Sequence, residues 1–207
     1  FSGPFEQIKY VHDWLCTNVT YDNSAAKKSD STKTVTEQLS ATAYGALING
    51  KAICSGYSYA FTMIMHELGY ECGMVSGVAD GVSHGWNIIK IGSDYYYIDI
   101  TFDDPDQSDL ITYYYFLVTG SDIGKDHQPS NDYSMPSATA TQYNYYIYNG
   151  YLLEDYSTDA AKEILDKQKG NKYYHIKFGL NHLIKLDSNF LDSTVYFFTN
   201  KSIMYLL

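Results

Sequence analysis

At 207 residues the chain is a little longer than one average domain, long enough to bury about 70% of its unfolded surface. Apolar residues make up 45% and charged residues 18%, a globular composition that argues against disorder. Lys and Arg number 14 against 24 Asp and Glu, giving a formal charge of −10, and every one of those bases is a lysine. Nucleic-acid binding calls for a basic stripe with Arg forks, so this balance argues against it and against a polybasic membrane surface. No apolar run approaches the roughly 18 residues of a membrane span. The chain begins Phe1-Ser2-Gly3-Pro4, without Met or a signal pattern, which is expected of a trimmed chain. Cys16, Cys54 and Cys72 are too few for a disulfide framework, and their odd number leaves at least one unpaired within the chain.

Pro4 suits a first helical turn, and Phe5, Ile8, Val11/His12, Leu15 and Val19 recur at helical spacing, ending near Asn18. Residues 22–37 are polar and read as a long loop. Thr42–Ile48 is a short helix stopped by Asn49-Gly50. Cys54–Leu68 is the next helix, with Tyr57, Phe61, Ile64, Met65 and Leu68 on one stripe and Gly69 as its stop. Cys72–Val78, Gly85–Ile91 and Tyr95–Thr101 are β-rich runs separated by Ala79-Asp80-Gly81 and Gly92-Ser93-Asp94. An antiparallel meander after helices gives an α+β class. Residues 103–142 read as mainly irregular. Beyond them come a strand at Tyr143–Leu153, a capped helix at Ser157–Lys169 ending at Gly170, and strands at Tyr173–Leu180, Val195–Thr199 and Ile203–Leu206. The expected organisation is a first domain over 1–148 and a β-containing C-terminal lobe or extension over 149–207.

Several features have a structural as well as a functional reading. The 23 tyrosines cluster at 95–97, 113–115 and 143–151. They suit half-exposed strand faces, and alternatively a binding surface for sugar or peptide. Asp103, Asp104, Asp106 and Asp109 form a solvated acidic loop or, less simply, a calcium site, though without EF-type spacing. His12, His66, His127, His175 and His182 lack the paired spacing of a zinc site and are read as structural or surface residues. Cys16 and Cys72 fall in apolar patterns that suit buried thiols, or a pair in an exported protein.

Cys54 stands out because it opens a helix, where the positive end of the dipole favours a thiolate and free N–H groups can hold an oxyanion. A thiolate nucleophile needs a base, and His84 opens the strand Gly85-Trp86-Asn87-Ile88. The base needs a group to orient it. If 84–91 pairs with 95–101 through the Gly92-Ser93 turn, Asp99 comes roughly opposite His84. An acid in that otherwise apolar strand also needs a partner.

Gly50-Lys51-Ala52-Ile53-Cys54-Ser55-Gly56-Tyr57, then His84-Gly85-Trp86-Asn87, then Tyr96-Tyr97-Ile98-Asp99-Ile100-Thr101-Phe102-Asp103-Asp104 together resemble the transglutaminase-like superfamily. The resemblance looks closest to bacterial surface and kyphoscoliosis-peptidase-like members, and Tyr115-Phe116-Leu117-Val118 and Asp126-His127 extend it over roughly residues 5–148. It implies a papain/transglutaminase-like core: N-terminal helices, with the nucleophile on a helix N-terminus packed on an antiparallel sheet. It implies Cys54 as nucleophile, His84 as base and acid, and Asp99 as orienter. Trp86 and Asn87 follow the histidine in the family pattern and are expected to shape the site, with Tyr57 beside them. Phe102 stands where the family often carries Trp. No oxyanion side chain is evident upstream; Gln38 and Tyr44 are the candidates, each equally readable as a surface or core residue.

The implied activity is acyl transfer at amide bonds of a peptide or protein substrate through a thioester, resolved by water in a peptidase or by an amine in a transglutaminase. Hydrolysis is slightly favoured. Cell-wall or host-surface proteins are candidate partners, no cofactor or metal is implied, and the setting is extracellular or cell-surface. The alternative is a non-catalytic binding or adhesion module on the same fold. A redox or metal role for the cysteines finds no Cys-x-x-Cys pattern to support it.

Overall fold

Residues 2–104, 110–130, 134–154, 157–179 and 203–206 are described by a computed structural model. They divide into two compact units, Phe1–Tyr143 and Asn144–Leu207. The division falls a few residues before the expected one because Tyr143–Leu153 is not a strand: it holds a short helix and a two-residue strand.

In the first unit, α1 (Pro4–Asn18) has Pro4 in its first turn and buries Phe5, Ile8, Val11, His12, Leu15 and Cys16 on one stripe. β1 (Thr20–Tyr21) follows. The expected loop after it contains two short helices, α2 (Asn23–Lys27) and α3 (Val35–Leu39). Local capping offsets their polar composition. Asp22 accepts from the Ala25 N–H, and Thr34 and Glu37 form a reciprocal capping box. α4 (Ala43–Leu47) is capped by Thr42. β2 (Lys51–Ala52) pairs in parallel with β1, fixing the chain just before the next helix, α5 (Cys54–Glu67).

α5 buries Tyr57, Phe61 and Met65 and lies on the sheet strands β3 (Cys72–Ala79) and β4 (Val82–Ile91). Burying Phe61 and Met65 contributes roughly 1.5–3 kcal/mol each. Gly69, at φ +87°, ends the helix in the conformation that glycine adopts most cheaply. β3 and β4 are joined through Asp80-Gly81, both at positive φ, and β4 runs through Gly92-Ser93 into β5 (Asp94–Ile98). α6 (Ile100–Asp103) starts directly after Asp99. The segment beyond it is less irregular than its sequence suggests. It holds α7 (Gly120–Ile123) and β6 (His127–Pro129), which gives the sheet order β5-β4-β3-β6, antiparallel throughout.

β4 is covered on both faces. Gly85 and Asn87 meet α5, while Trp86 joins Val75, Tyr97, Tyr115, Val118, Ile123 and Ala138 in a second cluster. Tyr96, Tyr97, Tyr113, Tyr115, Tyr145 and Tyr146 are therefore buried and not half-exposed. The rings serve as core volume here.

The second unit contains α8 (Tyr145–Tyr148), β7 (Leu152–Leu153), α9 (Thr158–Lys167), β8 (Tyr174–Phe178) and β9 (Ile203–Leu206). β8 lies between parallel β7 and antiparallel β9. Leu153, Ala161, Ile164 and Ile176 form its core. The strand expected at Val195–Thr199 and His182 lie outside the described residues. Among the described residues no helix is long and apolar enough to cross a membrane.

Candidate active site

Cys54 opens α5, partly buried, and His84 acts on its thiol electrostatically. His84 sits in β4, opposite Gly77 of β3. Its Nε2 lies 2.6 Å from Asp99 Oδ2, leaving Nδ1 to the thiol. The three expected residues are thus brought together, though not by the expected hairpin register. Asn87 pairs with Ile98, so position 84 falls opposite Thr101 and not Asp99. β5 also stops at Ile98. Asp99 leaves the strand and caps α6, where Oδ1 accepts from the Phe102 N–H at 3.1 Å and the Thr101 hydroxyl at 2.7 Å. Thr101 Oγ1 is also 3.5 Å from His84 Nε2. The extended reading of Tyr95–Thr101 missed that Asp, two residues before a possible turn, is as good a helix cap as it is a strand acid.

Electrostatics separate Cys54 from the other thiols. Burial pushes it up, but the hydrogen bond and charge of His84, helped by the Gly85 backbone, outweigh this and hold it below the ordinary thiol value. Burial pushes Cys72 up to about 12 and raises Cys16 as well. Burial opposes charge on His84, yet the Asp99 carboxylate and Cys54 raise it to about 10. Burial likewise opposes ionisation of Asp99, but His84, His127 and Thr101 keep it well below the usual carboxylate range.

The residues expected to shape the site take different places. Trp86 is fully buried and stacks beside His84, with ring centroids 6.1 Å apart at 19°. Asn87 is buried on the other face, where its Nδ2 donates to Ser58 O, Thr62 Oγ1 and Gly73 O and ties α5 to β3 and β4. Tyr57 is buried beneath the helix, its hydroxyl shared between Val19 O and Asp104. Gln38 is exposed and its amide donates to Lys33 O, and Tyr44 is 53% exposed on α4.

Two further histidines are not the bystanders their sequence positions suggest. His127 is buried, with Nε2 2.9 Å from Asp99 Oδ2 and Nδ1 2.5 Å from Asp126 Oδ1. His12 is also buried, between Asp13, Cys16 and Asp103. Burial lowers its proton affinity, but Cys16, Asp103 and Asp13 outweigh this and raise its pKa. Asp103 accordingly belongs to no solvated loop and is saturated by protein. It accepts from Thr112 Oγ1 and the Tyr115 N–H and faces His12. Asp106 and Asp109 lie outside the described residues. The adjacent pair Asp126-His127 was the available signal for His127; nothing in spacing alone places it on Asp99.

His84, Asp99 and His127 offer three donor atoms within 4.8 Å of one another. Both nitrogens, however, meet the same carboxylate oxygen at 2.6 and 2.9 Å, which are hydrogen-bond lengths. A zinc ion with ligands at about 2.0–2.2 Å each would have to part them. The arrangement is therefore one of shared protons.

Residues 2–100 match the profile of the transglutaminase-like superfamily. That stretch, which holds Cys54, His84 and Asp99, is a transglutaminase-like core on an α+β fold. Two solved structures are similar. One is a TGase, 18% identical, covering 82% of this chain and 45% of that one with a TM-score of 0.45. The other is a putative cysteine protease from Cytophaga hutchinsonii, 14% identical, covering 68% and 50% with a TM-score of 0.40. The chain spans about half the length of each. No curated protein matches it.

Proposed function

We propose that Cys54, His84 and Asp99 form a catalytic triad for thiol acyl transfer at amide bonds of peptides or proteins. The observation that carries this is the 2.6 Å pairing of His84 with Asp99, together with a thiol at the start of α5 that His84 holds below its ordinary value. The Cys54 thiolate attacks the amide carbonyl carbon, forming the C–S bond. Developing charge on oxygen is met by first-turn amides of α5, which have no intrahelical acceptor. His84 gives its Nδ1 proton to the departing amine, and a thioester remains. Water or an amine then attacks the thioester, His84 takes the proton, and the thiolate leaves. Asp99 holds the imidazole throughout.

We place this chemistry in the unit Phe1–Tyr143, with Asn144–Leu207 contributing no triad member. We favour hydrolysis over transamidation, a protein substrate at a cell surface or outside the cell, and kinship with surface and kyphoscoliosis-peptidase-like members. The test is iodoacetamide labelling near pH 6 with mass-spectrometric mapping. Selective alkylation of Cys54 over Cys16 and Cys72 supports the enzyme. Equal, slow labelling of all three thiols favours a non-catalytic binding module.

A further inference from the structure

We infer that His127 is a positioning residue of the triad, a second imidazole that holds the same Asp99 carboxylate oxygen as His84. This rests on the acyl-transfer reading of Cys54, His84 and Asp99. Asp99 Oδ2 receives both rings, His84 Nε2 at 2.6 Å and His127 Nε2 at 2.9 Å, while Oδ1 is held by Thr101 and the Phe102 N–H. Every lone-pair direction on the carboxylate is thereby committed, so it cannot swing away from His84 without losing a donor.

The fold brings His127 there deliberately. Residue 127 pairs with Ala79 and residue 129 with Gly77, while Gly77 pairs with His84, so the two imidazoles project from one face of the sheet across β3. The ring is boxed by aromatics, Trp86 at 4.9 Å, Phe102 at 5.0 Å and Tyr115 at 5.1 Å between centroids. Its far nitrogen is fixed as well. Nδ1 meets Asp126 Oδ1 at 2.5 Å, and the other oxygen of Asp126 accepts the Tyr115 hydroxyl at 2.8 Å. The ring is thus pinned at both nitrogens. Tyr115, Asp126, His127, Asp99 and His84 form one continuous hydrogen-bonded line, and His84 at its end acts on the Cys54 thiol. His127 spends its outer nitrogen on Asp126 and its inner nitrogen on the oxygen that orients the base.

The titratable groups around Asp99 are His84 from β4, His127 from β6 and, through His84, Cys54 from α5; Asp126 and Tyr115 face His127. Removing the His127 donor leaves a buried carboxylate oxygen short of one charge-assisted bond, so Asp99 takes up a proton more readily. Once Asp99 is protonated, His84 loses its counter-charge and Cys54 its thiolate character.

The decisive variants are His127→Phe, which keeps the ring among Trp86, Phe102 and Tyr115 but carries no donor, and His127→Gln, whose amide can still donate to Asp99. Thermal melting establishes that both are folded. Two readouts are then taken, the pH titration of the Asp99 carboxyl carbon by NMR and the pH profile of Cys54 alkylation by iodoacetamide. In His127→Phe we expect the Asp99 titration to move up by about one pH unit or more. The rate at pH 6 should fall about tenfold, the scale of losing an outer partner that orients an imidazole. His127→Gln restores most of both. An Asp99 titration unchanged in His127→Phe, or equal behaviour of the two variants, overturns the proposal. If wild-type Cys54 alkylates no faster than Cys16 or Cys72, the acyl-transfer reading fails, and the Asp99 titration still decides whether His127 holds Asp99.

Discussion

Burial raises all three thiols of this chain, and only Cys54 has an imidazole strong enough to reverse it. The sign fixes the expected pH behaviour. With Cys54 lowered and His84 raised to about 10, thiolate and imidazolium coexist below the range where an ordinary thiol ionises. Alkylation of wild-type Cys54 should therefore proceed at pH 6. In His84→Ala the burial effect is left unopposed, and the whole rate profile should move to above pH 9, the value of an unperturbed thiol or higher. Equal labelling of wild type and His84→Ala at neutral pH would remove His84 from its role. Asp99→Asn should label faster than Asp99→Ala, because its carbonyl still accepts from the imidazole, although loss of an orienting carboxylate can cost up to about 10⁴-fold in turnover. Asn87 matters differently, through the fold. Asn87→Leu keeps the branched shape but removes the donor to Ser58 O, Thr62 Oγ1 and Gly73 O, and should cost about 1–3 kcal/mol in chemical denaturation with little change in Cys54 labelling per folded molecule.

Among the elements, the sheet edge is the sensitive part. At Gly77 an added Cβ would stand 2.0 Å from the Gln128 carbonyl oxygen and 2.8 Å from the Trp86 ring. The first is backbone and cannot turn aside, so β6 must retreat from β3, carrying His127 with it. Gly77→Ala should therefore cost about 1–3 kcal/mol by overpacking and also slow Cys54 alkylation, although residue 77 touches no thiol. Gly73→Ala, where a Cβ meets nothing within 4 Å, is the control and should leave labelling unchanged. A Gly77→Ala protein with wild-type stability and labelling would show that β6 does not support the site. The cover segment is tied to the same region: the Asp99 N–H donates to Tyr115 O, and Tyr97 and Val118 exchange both backbone bonds at 2.9 Å. Asp103 anchors this cover from below through Thr112 and Tyr115.

At the scale of the whole molecule, every group in the line from Tyr115 to Cys54 lies within Phe1–Tyr143. Asn144–Leu207 has its own sheet and its own small core. A chain ending at Tyr143 should therefore keep selective Cys54 alkylation when folded, while melting at a lower temperature than the full chain. A folded 1–143 chain with Cys54 no more reactive than Cys72 would place part of the site's support beyond residue 143.

What the sequence determined by itself was local or carried by chemical type. Helical spacing in Pro4–Asn18 and Cys54–Glu67, the Asp80-Gly81 and Gly92-Ser93 turns, and a thiol at a helix start all follow from short-range sterics and the backbone dipole. Residues 54, 84 and 99 could be grouped because nucleophile, base and orienter are chemically distinct side chains in recognisable motifs. Tertiary structure decided the rest. Asp99 faces His84 from a helix cap and not across a hairpin, because β5 ends at Ile98, three residues before the expected Thr101, and the cap bond to Phe102 competes with strand pairing. His12 and Asp103 meet although they are 91 positions apart, and His127 reaches Asp99 only because β6 joins the far edge of the sheet beside β3. No periodicity encodes such a pairing. It arises when two buried polar groups, each costly without a partner, are brought to the same place by apolar packing that neither of them specifies.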